Sequence, residues 1–179
     1  MSGRLRLLTN AGLFQLGWFA CVFGAQRPWL LLVAAACIAA HLLWISDTRG
    51  EWRVLLAVAG CGWLLDSALL QLGLFGFAGS SPVLPLWLAL LWLSFASTLR
   101  YSLGWSARPW WLGSILGAIG GPLSYLAGAR LADVELPLGV TTSVLILAAI
   151  WALLLPALHG LARWLTRRLA EQQAGRLEP

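Results

Sequence analysis

The sequence predicts an all-α polytopic membrane protein, a bundle of six transmembrane helices, and three observations predict it: the hydropathy, the spacing of the apolar runs, and the placement of arginine. Hydrophobic residues make up 60% of the 179 positions and charged residues 11%. The mean hydropathy is +0.80, far from the balance of a soluble domain. Six spans of about 20 residues each leave room only for connections and a tail, so 1–179 reads as a single integral membrane domain. Cytoplasmic loops hold the excess of basic residues. Ten arginines, from Arg4 and Arg6 through Arg49, Arg53, Arg100 and Arg108 to Arg163, Arg167, Arg168 and Arg176, fall on one side, and Arg27 and Arg130 fall on the other. Both termini are therefore expected in the cytoplasm.

Span 1 is read over about 7–25. Arg4 and Arg6 before an apolar run resemble a signal peptide, but Asn10 and Gln15 interrupt the run and Phe23-Gly24-Ala25 is a poor cleavage site, so it is expected to be retained. Gln26-Arg27-Pro28 turns it into span 2, 29–45, with proline where a helix can begin. The hydrophilic stretch Ser46 to Arg53 ends the pair. Span 3 covers 54–75. The uncharged Phe77-Ala78-Gly79-Ser80-Ser81-Pro82 is a turn, and span 4 follows over 85–103. Span 5 is 109–129 and span 6 is 137–159, after the polar turn Arg130 to Glu135. A basic cytoplasmic tail fills 160–179, amphipathic from Leu161 to Leu169. Trp44, Trp52, Trp105, Trp110, Trp111 and Trp164 fall at inner helix ends and Trp29 and Trp87 at outer ones, as an aromatic belt requires. Trp18, Trp63, Trp92 and Trp151 lie inside spans, where an indole N–H needs a partner.

Span 3 carries the most informative residue, Asp66, a carboxylate near the middle of an apolar helix. Such acids are costly to insert and face a bundle interior or a wet cavity. Ala59, Gly62, Asp66 and Gly73 share its face, so a neighbouring helix can come close. With a rise of 1.5 Å per residue, Asp66 lies roughly 18 Å from the cytoplasmic end, Gln15 about 12 Å, Ser94 about 14 to 16 Å, and Gly120 to Pro122 about 16 to 20 Å. Four spans thus contribute to one polar layer. In span 5, Gly113, Gly117 and Gly121 form a small-residue face for helix contact. Pro122 removes a backbone hydrogen bond near Ala118, which predicts a kinked or broken helix at the level of Asp66. The candidate ligand-binding residues are Asp66, Gln15, Trp18, Ser94, Gly121, Pro122 and Tyr125, the last a proton donor one turn beyond the proline. The bland reading of the same acid is structural: bonded to Ser94, Gln15 or a tryptophan N–H, it fixes helix register.

Other polar residues carry less. His41 and His159, on separate helices without acidic or cysteine companions, fit hydrogen-bonded or interfacial positions better than a metal or haem pair, and no metal or cofactor is expected. Cys21, Cys37 and Cys61 are packing residues. Arg100 is expected to snorkel to the headgroups, Arg130, Asp133 and Glu135 to form a solvated turn, and Arg163, Arg167 and Arg168 to meet anionic lipid. The sequence has no Gly-rich phosphate loop or nucleophile elbow, and its remaining acids sit at span edges. Nucleic acid is not an expected partner. No internal repeat of the inverted transporter kind is visible.

Asn10 with Gln15-Leu16-Gly17-Trp18, Asp66, Pro85-Leu86-Trp87 through Leu91-Trp92 to Thr98-Leu99, and Gly117-Ala118-Ile119-Gly120-Gly121-Pro122-Leu123-Ser124-Tyr125 to Gly128 together resemble a bacterial inner-membrane family, domain of unknown function 2878. The likeness runs from about Asn10 to Leu155. It implies a small multi-pass inner-membrane protein and no catalytic residues. Three functions fit: binding or transport of a lipid or small hydrophobic molecule in a midplane pocket around Asp66, lipid modification by Asp66 and Tyr125 as acid or base, or an accessory subunit of a membrane complex. Membrane lipids are the expected partners, and a homo-oligomer fits the glycine face as well as internal packing does.

Overall fold

The computed structural model describes residues 2–77 and 84–174. Six helices follow one another in the chain: α1 (Gly3–Gly24), α2 (Leu30–Ala40), α3 (Glu51–Gln71), α4 (Leu86–Ala96), α5 (Trp110–Leu131) and α6 (Val140–Ala174). A π turn, His41–Ile45, extends α2, and a 3-10 turn, Gly104–Ala107, leads into α5. Among the described residues the only strand-like pairing is the bridge between Gly76 and Glu135. Helices α1, α3, α5 and α6 are long and apolar enough to cross a membrane, while α2 with its π turn and α4 are shorter apolar helices. Large apolar side chains such as Leu32, Leu64 and Leu153 are about three-quarters exposed, an arrangement that suits hydrocarbon rather than water.

Helix α4 occupies the middle, packed by α1, α2 and α3, and α1 and α2 also pack on each other. Helices α5 and α6 form the most extensively packed pair; α6 leans on α3, and α5 barely meets α1. That division leaves a cleft between α1 and α5. The glycine face of α5 is what brings α6 so close. A side chain on Gly113 would lie 3.1 Å from the Ser106 carbonyl, one on Gly117 would strike the Trp151 backbone, and one on Gly121 would strike the Trp151 indole.

Several boundaries differ from those expected. Helix α3 stops at Gln71, short of Phe75, because Gly73 takes a left-handed φ of 72°. The Leu74 N–H then donates to the Leu69 carbonyl at 3.0 Å, and the Gly73 N–H donates to Leu70 at 3.0 Å, a Schellman ending that only glycine makes without strain. Gly73 thus ends the helix rather than extending the Asp66 face. Span 4 was expected to reach Leu103, but α4 ends at Ala96, where the Ser97 and Thr98 hydroxyls donate to the carbonyls of Ser94 and Phe95 and compete with the helix. Helix α5 runs unbroken past Pro122, which is buried inside it. Helix α6 carries the amphipathic segment as a direct continuation through Pro156 to Ala174, not as a separate tail. Most of the turn expected at Phe77 to Pro82 (positions 78–82), and the tail beyond 174, lie outside the described residues.

One end of the bundle gathers the start of α1 and the far part of α6 on the connection between α2 and α3. Arg6 donates to the Ile45 carbonyl and pairs with Asp47 at 3.2 Å, while Gln173 donates to the Arg49 carbonyl at 2.9 Å. Arg100 was expected to snorkel; it instead pairs with Glu51, which is 2% exposed, and lies 3.6 Å from Asp47. The early stop of α4 is the reason: the chain turns there and carries Arg100 over the first turn of α3. The Tyr101 hydroxyl donates to Asp47 at 3.0 Å. Buried Asn10 donates to the Ser97 carbonyl at 3.1 Å, contacts His41 Nδ1 at 3.2 Å and accepts from Ser102. His159 Nε2 meets the Ser106 hydroxyl at 3.0 Å. Each histidine is therefore a hydrogen-bonded core residue in its own place.

Candidate functional site

Asp66 lies on the α4-facing side of α3 and is fully buried. Gly62, one turn earlier, is what admits its partner, because any Cβ there would fall within the Trp92 indole. The indole lies over the bare backbone, and its Nε1–H donates to Asp66 Oδ2 at 2.6 Å. From the other side, the Tyr125 hydroxyl of α5 donates to Oδ1. Both carboxyl oxygens thus accept a hydrogen bond, and both bonds favour the ionised form of the acid. One side chain ties three helices, and aromatic rings close around it. Trp92 stacks on Trp151 with centroids 5.6 Å apart and planes 5° from parallel, and Phe95 meets both edge-on. Tyr125 packs against Trp151 and Phe75. Trp18 Nε1 donates to the Ser124 hydroxyl at 3.0 Å and bridges α1 to α5.

These groups wall a cleft of about 560 Å³, within the range of small-molecule sites. Among the described residues Asp66 is the only acid on its wall, and none there is Arg, Lys or His. At its mouth stand Gln15, which is exposed and makes no hydrogen bond among the described residues, Phe19, 41% exposed, and Leu123, 60% exposed. The mouth therefore opens sideways between α1 and α5. The distal connections form its floor: Phe75, Phe77, Val134 and Leu136 line it, and paired hydrogen bonds of 3.0 Å between Gly76 and Glu135 hold the two connections together. Trp151 Nε1 is buried without a partner among the described residues.

The cleft wall includes Asp66, Gln15, Trp18, Gly121 and Tyr125. Ser94 and Pro122 are elsewhere. Ser94 is two positions from Trp92, about 200° around α4, and turns to α1, its hydroxyl 3.2 Å from where Gly17 would carry a Cβ. Trp87, expected in the outer aromatic belt, is buried and faces the cleft. The site also lies off the midpoint of α3, since Asp66 is five positions before Gln71, about 7.5 Å from that end. Trp92 and Trp151 were legible in the sequence as indoles inside spans, and a tryptophan N–H was among the partners expected for Asp66, though which tryptophan was not; Gly62, one turn before Asp66, is the position that admits the ring. Ser124 carried no signal beyond proximity to Tyr125.

Chemically, the arrangement offers an anchored carboxylate, a phenol bonded to it, further neutral donors such as Gln15 and Trp151, and broad aromatic faces. Among the described residues no three His, Cys, Asp or Glu side chains cluster as metal ligands would. No curated protein and no solved structure matches the chain. The match of residues 7–157 to one family model, covering most of the chain, shows that this protein belongs to the family described as Protein of unknown function (DUF2878).

Proposed function

We propose that the protein is a multi-pass protein of a bacterial inner membrane, all six helices crossing with both termini cytoplasmic, that binds or carries a lipid or small hydrophobic molecule in the cleft around Asp66. The observation that carries this reading is the cleft itself: about 560 Å³, apolar over most of its wall, open sideways, with one fixed carboxylate inside. Sites of this kind orient an apolar ligand through a few polar groups, and Asp66 with its two donors is such a group. A lateral mouth suits a ligand that arrives from the bilayer. A second reading, single-carboxylate chemistry on a lipid, is favoured by the hydrogen bond between Tyr125 and Asp66, which pairs an acid with a base.

Gly120 provides a test that leaves the Asp66 hydrogen bonds in place. It lines the cleft, and a Cβ there meets nothing within 4 Å, so Gly120→Leu is expected to add bulk to the cleft rather than to strike a neighbouring helix at its first atom. Molecules extracted from purified wild type and Gly120→Leu are compared by mass spectrometry. A discrete species present on the wild type and depleted several-fold on the folded variant supports the binding reading, and identical profiles count against it. Conversion of an extracted lipid by wild type, abolished in Tyr125→Phe, would move the reading to the enzyme.

A further inference from the structure

The cleft has an imbalance of charge. Among the described residues its wall carries one carboxylate and no basic side chain, and no ion pair involves Asp66. Two hydrogen bonds hold the acid in place, but neutral donors offset only part of a buried charge, and a cation beside such an acid supplies the rest. Arg27 and Arg130, the basic residues at this end, are both exposed and are absent from the wall.

The same wall is rich in aromatic rings: ten of its side chains are Phe, Trp or Tyr. For a neutral alkyl chain, leucine and valine would serve as well. Aromatic faces add one thing that aliphatic groups lack, an attraction for cations through the ring quadrupole, strongest for tryptophan and greater when desolvated. The polar edges of three of these rings are already committed. Trp92 Nε1–H and the Tyr125 hydroxyl point to Asp66, and Trp18 Nε1–H points to Ser124. Donation to a carboxylate also pushes electron density into the indole and the phenol, which makes their faces more negative. The other donors on the wall, Gln15 and Trp151 Nε1 among them, are neutral and add no positive charge.

Building on the binding reading above, we propose that the cleft takes an organic cation with an apolar body, an alkyl- or aryl-substituted ammonium, whose charge is the missing partner of Asp66 and whose substituents lie on the aromatic faces. Such a molecule partitions into a bilayer and reaches the lateral mouth between α1 and α5 directly. A headgroup amine of a lipid and a free lipophilic amine share this chemistry; a lipid would copurify with the protein, whereas a free amine would have to be added.

The test uses two probes of one shape and different charge, phenyltrimethylammonium and its neutral isostere tert-butylbenzene, on delipidated full-length protein in maltoside detergent. Binding is read by quenching of tryptophan fluorescence and by the shift in thermal unfolding. The cation is expected to bind at least about tenfold more tightly than the isostere, the size of one desolvated cation–π contact. Asp66→Asn is expected to lower the cation's preference to the part that the aromatic faces supply, while the isostere still binds as before. Equal affinities on the wild type would overturn the cation assignment and leave the hydrophobic cleft standing. Binding of neither probe would overturn the assignment too, and the Gly120→Leu extraction would then judge the cleft separately. Because the wild-type comparison decides alone, a poorly folded Asp66→Asn does not block the answer.

Discussion

The indole of Trp92 occupies the space that a methyl group on Gly62 would need, and this contact sets where Asp66 finds its donor. The ring is nearly fully buried between α3 and Trp151, so it has little room to retreat. Gly62→Ala is expected to cost about 1–3 kcal/mol, as overpacking does, seen as a lower unfolding temperature of the purified protein. Gly60→Ala, where a side chain meets nothing within 4 Å, is the control and should be neutral or stabilising. Equal behaviour of the two variants would contradict the contact.

Removing the donor but keeping an aromatic ring separates hydrogen bonding from packing. Trp92→Phe and Tyr125→Phe each take one donor from the buried carboxylate and should each destabilise by about 1–3 kcal/mol. Because both donors act on one acid, the double variant should depart from additivity by at least about 0.5 kcal/mol. A double-mutant cycle on thermal or denaturant unfolding measures this; strict additivity would show that the two residues do not share Asp66.

At the opposite end, Arg100 supplies the charge that buried Glu51 needs. Arg100→Ala leaves that acid unpaired and should cost about 3–5 kcal/mol. Adding Glu51→Gln should restore much of the loss, since the residue left behind is then neutral. An Arg100→Ala variant as stable as the wild type would return Arg100 to a headgroup-facing role.

Asp47, in the connection before α3, gives this end a pH dependence. Partial burial pushes its carboxyl up, but the Tyr101 hydroxyl, Arg6, Thr48 and Arg100 together outweigh that and hold it below its ordinary value of 3.8. Unfolding raises it again, so the unfolded chain binds the proton more readily. The stabilisation is present in full above that value and is lost as pH falls through the lower folded value. Unfolding temperatures followed below about pH 4 should decline less steeply for Asp47→Asn than for the wild type. Parallel curves would remove Asp47 from the network.

The sequence made some of this architecture legible and left the rest to packing. Hydropathy located all six helices, because each is a long apolar run that the polar connections do not imitate. The end of α3 was misplaced because Leu72 to Phe75 are as apolar as a span, and the end of α4 because the span was carried past Arg100 to Leu103; there, a left-handed glycine and two back-bonding hydroxyls end the helices. Asp66 was identified because one charge in an apolar helix needs no partner to be noticed. Its partner was harder to find, since depth along a helix says nothing about direction around it. Trp92 and Ser94 lie at nearly the same depth, yet one faces the cleft and the other faces Gly17. Arg100 and Glu51 are 49 positions apart, and only the turn after α4 brings them together.

Native mass spectrometry of the purified protein with its copurifying molecules, wild type against Asp66→Asn at matched expression, tests the central claim most directly. The account predicts a discrete ligand on the wild type that disappears from the folded variant, its mass identifying the chemistry that Asp66 anchors. Identical nonspecific lipid on both, with the variant losing only thermal stability, would contradict it and make Asp66 a structural acid joining α3, α4 and α5.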